Sequence, residues 1–134
     1  MKRASLIIAS CGLLLSACKV VVVAPPHVAV VNEDMSFVCM PGQTCEIEVS
    51  DYNFDMSLYA VPRPGYTFLY WSSETDHLCP GFFSNKCRLS TVGIDPGDEE
   101  FRAVLESDRM YYLEPVYRRD EDAPTLDWSD IEDP

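Results

Sequence analysis

Basic residues are scarce in this chain, whose 134 residues carry 10 Lys+Arg against 22 Asp+Glu for a formal charge of −12. That shortage excludes the positive surface on which nucleic-acid binding and electrostatic adhesion to anionic lipid both depend. Catalytic signatures are also lacking. Of the 2 histidines, His27 follows a proline pair and His77 lies beside Cys79. No Ser or Cys nucleophile has a recognisable supporting motif, and the carboxylates are scattered rather than paired, so the chain reads as non-enzymatic. The cysteines do not form the close Cys-x-x-Cys pairs of a zinc site, although thiols with His77 are the alternative chemistry to disulfides. The acids around Asp95-Pro96-Gly97-Asp98 lack the ligand spacing of a calcium loop. No cofactor and no internal repeat are expected.

What is present begins at the N-terminus. Lys2 and Arg3 precede a largely apolar segment, residues 4–15, closed by Leu15-Ser16-Ala17-Cys18. These are the positive n-region, the short h-region and the small residues before a cleavage point of an export signal. The ending has the form of a bacterial lipobox, in which Cys18 takes a diacylglycerol and becomes the new N-terminus. An uncleaved anchor is the competing reading, because residues 4–24 carry Lys19 as their only charge and about 20 apolar residues span a bilayer. Against it, a lysine at the bilayer centre costs about 2.5–3.5 kcal/mol. The β-branched Val20 to Val23 also suit extended structure better than helix. The expected location is the cell envelope, lipid-anchored. Lys19 is not the aspartate associated with inner-membrane retention, so in a Gram-negative cell the outer membrane is expected.

Four regions follow: a signal peptide over 1–17, a lipidated tether over 18–27, a domain over 28–119 and an acidic tail over 120–134. Within the tether, Val20 to Val23 is either another strand or part of the tether, and is expected to be covered because a bare run would be an aggregation hazard. Processing removes Lys2 and Arg3 but no acid, which takes the charge from −12 to −14. Asp120, Glu121, Asp122, Asp127, Asp130, Glu132 and Asp133, with Pro124 and Pro134, read as a solvated tail. Trp128, with Leu126 and Ile131, is either a docking motif there or a group folded back onto the body.

A domain of this size has a limited core and is often stapled. Cys11 leaves with the signal and Cys18 takes lipid, leaving Cys39, Cys45, Cys79 and Cys87, an even number in an oxidising compartment. Three pairings are open. Loop closure assigns about 2.5 kcal/mol to each local bond and roughly 4 to each long-range one, so entropy does not choose. Proximity during folding favours Cys39–Cys45, around Pro41-Gly42, and Cys79–Cys87, around Pro80-Gly81 and Ser84-Asn85.

Alternation with period two predicts strands at Val28 to Val31, Thr44 to Val49, Met56 to Ala60, Tyr66 to Trp71 and Lys86 to Thr91. Tyr111, Leu113 and Val116 form a last strand, which Pro115 confines to an edge or a bulge. Ala24-Pro25-Pro26 reads as a stiff connector. After the Asp95-Pro96-Gly97-Asp98 turn, Phe101, Val104 and Leu105 keep helical spacing. Asp98 stands as N-cap with Glu99 and Glu100 in the first turn, which predicts one short helix near 98–108.

The segment Pro64-Gly65-Tyr66-Thr67-Phe68-Leu69-Tyr70-Trp71 resembles the Gly-Tyr-x-Phe-x-x-Trp stretch of divergent internalin-type B-repeat modules of bacterial surface proteins. Gly42-Gln43-Thr44-Cys45, the Cys79 and Cys87 pair, and Leu113-Glu114-Pro115-Val116-Tyr117 resemble the preceding, following and closing parts of the Cys-containing versions. The resemblance is clearest over 42–91. It implies a mainly β (α+β) domain, a small disulfide-stapled and largely antiparallel β-sheet of β-grasp-like form, and brings no catalytic residues. The chain departs from the family in having one copy, Leu69-Tyr70 before the Trp, and an insert from Asp98 to Arg109.

Phe68 and Trp71 are expected in the core. They share a face only if a bulge or turn intervenes near Tyr70, since alternate strand residues face opposite sides. Tyr66 and Tyr70, with Trp128, are the candidate partner contacts. The sequence thus points to a lipid-anchored envelope module that binds protein or glycan or has a structural role. The alternative is an inhibitor of a basic hydrolase such as a lysozyme or secreted protease, suggested by the acidic charge. Expected partners are the membrane, through the N-terminal lipid, and an envelope protein, glycan or cationic protein.

Overall fold

The structure is a computed structural model and describes residues 18–123. The expected signal peptide, Trp128 and most of the acidic tail therefore lie outside the described residues. In chain order the elements are β1 (Cys18–Val23), β2 (Val28–Asn32), β3 (Val38–Cys39), β4 (Thr44–Val49), β5 (Asp55–Pro62), β6 (Tyr66–Trp71) and β7 (Lys86–Ser90). Then come helix α1 (Glu99–Glu106), β8 (Met110–Leu113), β9 (Pro115–Arg119) and a single 3-10 turn (Asp120–Asp122).

The fold is mostly β, as the alternation implies, but its strands divide among three sheets rather than one. The first has the order β4-β1-β8, the second β3-β2-β5-β7, and the third pairs β6 with β9. All pairings are antiparallel except β1 with β8, which run parallel in the register Lys19↔Met110 to Val22↔Leu113. A parallel neighbour needs a long crossover, and the chain from β2 through α1 supplies it.

The tether expected over residues 18–27 is corrected by the structure. Residues 18–23 are β1, the central strand of the first sheet, paired with β4 from Cys18↔Val49 to Val23↔Thr44. The folded body therefore includes residues 18–27. Cys18, Val20 and Val22 are buried on one face, while half-buried Lys19 lies 3.9 Å from the Glu46 carboxylate. A bare run of four valines would expose apolar side chains and unpaired backbone; two flanking strands satisfy both. Residues 24–27 form the corner into β2, where the Ala24 N–H donates to the Gln43 carbonyl and the Ala24 carbonyl accepts from Gly42.

The helix begins where its signals place it. The Asp98 carboxylate accepts from the Glu100 and Phe101 N–H groups at 3.0 and 3.1 Å, the arrangement that satisfies orphan donors of a first turn. Leu105 is buried against the core, with Phe101 and Val104 packed beside it. The expected last strand is instead two. β8 stays in the first sheet, Glu114 intervenes, and β9 crosses to pair with β6. Pro115 opens β9, where its missing N–H takes no bond from a ladder interior.

The register of β6 on β9 shifts between Phe68 and Tyr70, the irregularity that a shared face for Phe68 and Trp71 demands. Their rings meet edge to face at 5.4 Å. Trp71 is fully buried and its indole N–H donates to the Ser84 carbonyl at 2.9 Å. Trp71→Ala should therefore cost about 3–5 kcal/mol in urea unfolding, the range for emptying a large core site. Tyr52 offers a contrast: its hydroxyl is buried beside Phe101 without a hydrogen-bond partner among the described residues. Tyr52→Phe should leave stability unchanged or raise it by up to about 1 kcal/mol in the same assay.

Candidate functional site

Both local cysteine pairs are joined: Cys39–Cys45 and Cys79–Cys87 are disulfides. Their sulfurs are thus not ligands, and among the described residues no group of three or more His, Cys, Asp or Glu side chains is placed to hold a metal ion. Cys39–Cys45 ties the β3 end to the start of β4. Cys79–Cys87 closes the loop that leads into β7.

Cys18 heads β1 as a free thiol and is 6% exposed. Burial pushes its pKa above the ordinary thiol value, opposed by the positive charge of Arg109. Its side chain lines an apolar groove of about 510 Å³, a volume within the range of small-ligand sites. Val20 and Val49 of the first sheet and Leu89 of β7 form walls of the groove. Phe101, Val104 and Leu105 of α1 also line it, as do Leu78 just before the disulfide loop and Pro80 and Phe82 within it. Arg88, Ser90 and Thr91 supply polar lining. Arg88 is already engaged in a two-pronged bond with Asp55, at 2.9 Å for each contact, which holds the Asp55 carboxyl below the usual carboxylate range.

The two candidate tyrosines sit at opposite ends of β6. Tyr66 is half-buried and stacks face to face on His27 at 4.1 Å, with Tyr117 edge-on at 5.9 Å. Tyr70 is at the surface, 36% exposed, with the Phe83 ring edge-on at 6.4 Å. The structure does not bring these tyrosines together.

Phe82 and Phe83, which sequence reasoning passed over, are 54% and 81% exposed. Their loop is held rigidly. Its ends are bridged by Cys79–Cys87, the Trp71 N–H donates to the Phe82 carbonyl, and the Trp71 carbonyl accepts from Gly81. With the Ser84 bond from the indole, Trp71 alone fixes three points of the loop. The available signal was the adjacency of two phenylalanines inside a short cysteine-bounded loop rich in turn residues. The groove had no comparable signal, because its walls come from segments far apart in the chain.

Compared with protein-family models, curated proteins and solved structures, the chain matches none. Among the described residues no helix is long and apolar enough to cross a membrane.

The placement of Cys18 is open to direct measurement. In a folded chain made without lipid, alkylation by iodoacetamide should be at least tenfold slower than in urea, because the reactive thiolate is disfavoured and covered. Equal rates, read by intact mass, would contradict a groove-wall position.

Proposed function

We propose that the protein is a non-catalytic, lipid-anchored module of the bacterial cell envelope that binds an envelope protein or glycan. The anchor reading rests on Lys2, Arg3, the apolar residues 4–15 and Leu15-Ser16-Ala17-Cys18. In this reading the Cys18 sulfur attacks the terminal glyceryl carbon of a membrane phospholipid. A C–S bond forms as the C–O bond to the phosphate headgroup breaks, and the thiol proton is released. Water then hydrolyses the Ala17–Cys18 peptide bond, leaving a carboxyl on Ala17 and an amine on Cys18.

The observation that carries the binding role is the rigid display of Phe82 and Phe83 beside Tyr70. Exposed aromatics on a preorganised loop give contact area with little ordering cost on association. The B-repeat resemblance over 42–91 points the same way, toward surface modules that work by contact. A second reading, inhibition of a cationic hydrolase, is favoured by the charge of −14 that remains when Lys2 and Arg3 are removed from a chain of −12. It requires salt-sensitive, stoichiometric inhibition of a lysozyme or protease.

Blocking lipoprotein signal peptidase should accumulate a slower-migrating precursor; an unchanged band would remove the anchor. Cross-linking on intact cells, read by mass spectrometry, should recover a reproducible partner. Phe83→Ala should reduce that recovery severalfold while shifting stability by no more than about 0.5 kcal/mol, as befits an exposed side chain. Recovery unaffected by Phe83→Ala would take the loop out of the interface.

A further inference from the structure

Cys18 combines two properties that conflict in an ordinary lipid anchor. It is the residue on which the lipid is proposed to sit, and it is also a covered residue of a central strand. No linker separates the sulfur from the fold, because Cys18 is already in register with Val49 and the Lys19 N–H already donates to the Arg109 carbonyl. A group attached to that sulfur must pass through the space that the side chain lines. That space is the apolar groove.

We propose that the groove holds an acyl chain of the diacylglycerol carried by Cys18, shielding it from water when the protein is out of the bilayer. The proposal rests on the lipoprotein reading above and adds to it where one chain goes. Its occupant is set by continuity, since the groove wall includes the attachment atom's own residue. A groove of about 510 Å³ lies in the range that holds one small, mostly apolar ligand. The lining agrees, with Val20, Leu78, Leu89, Phe101 and Val104 apolar and Arg88, already bonded to Asp55, leaving no unpaired charge against the hydrocarbon.

Within a membrane the groove offers the chain little, because lipid is equally apolar. In water it removes methylenes from solvent, and this is the driving force for occupancy. Occupancy is therefore expected to depend on whether a bilayer is present. The device would serve a lipoprotein that crosses an aqueous compartment.

The test uses the full chain purified in its processed form and transferred out of detergent into aqueous buffer, with protonated Leu and Val methyl groups. Intact mass reports the lipid, and nuclear Overhauser contacts report whether acyl methylenes lie against Val104, Leu89 and the Tyr111 ring. Contacts in the wild type, lost in the groove-filling Val104→Trp, are the expected result. A lipid-bearing mass with a folded spectrum and no such contacts would overturn the groove proposal while leaving the anchor standing. An unmodified Cys18 would overturn both. If Val104→Trp does not fold, Leu89→Trp fills the groove from β7, and contacts that persist in a folded filled variant would place the chain elsewhere.

Discussion

Strand β1 is hydrogen-bonded along both edges, to β4 on one side and β8 on the other, and the remaining structure is arranged around that double pairing. Its consequences spread outward. Burying Val20 and Val22 fixes one face of the first sheet, and α1 packs over the end of it near Cys18. The parallel pairing with β8 requires the long crossover that contains α1. The short step from β8 to β9 then delivers Pro115 and Val116 to β6, and with them the closure over Trp71.

The second organising centre is Trp71, a fully buried ring that also acts as a backbone clamp. Its indole and main chain hold the loop between Cys79 and Cys87, so burial inside and display outside are coupled through one residue. The disulfide adds to the clamp mainly by restricting the unfolded loop. Phe82 faces the groove from this loop, and Phe83 extends toward Tyr70. The proposed lipid site and the proposed contact surface are thus neighbours on one rigid support.

Local chemistry in the sequence marked several elements with close boundaries. Asp98, Glu99 and Glu100 before Phe101, Val104 and Leu105 specify a helix start, and the structure begins α1 at Glu99. The period of two in Thr44 to Val49 and Tyr66 to Trp71 marks β4 and β6 at those bounds. Even the bulge near Tyr70 was legible, because two large apolar residues three positions apart cannot share a regular strand face. Pro115 as a strand boundary was legible for the same kind of reason, a missing donor. These signals are short-range: each depends on residues within a few positions.

The sequence by itself determined the acidic balance, the two closely spaced cysteine pairs, most strands and the helix that Asp98 caps. Tertiary structure alone decided between strand and tether for Val20 to Val23 and made β1 central, divided the strands among three sheets, and set Cys18 beside an apolar groove. The physical reason is range. Helix caps, turns and alternation are properties of neighbouring residues, whereas the partners of β1 lie in β4 and in β8 beyond the helix. A run of valines reads the same whether bare or flanked, and only the pairing of distant backbone makes it the middle of a sheet.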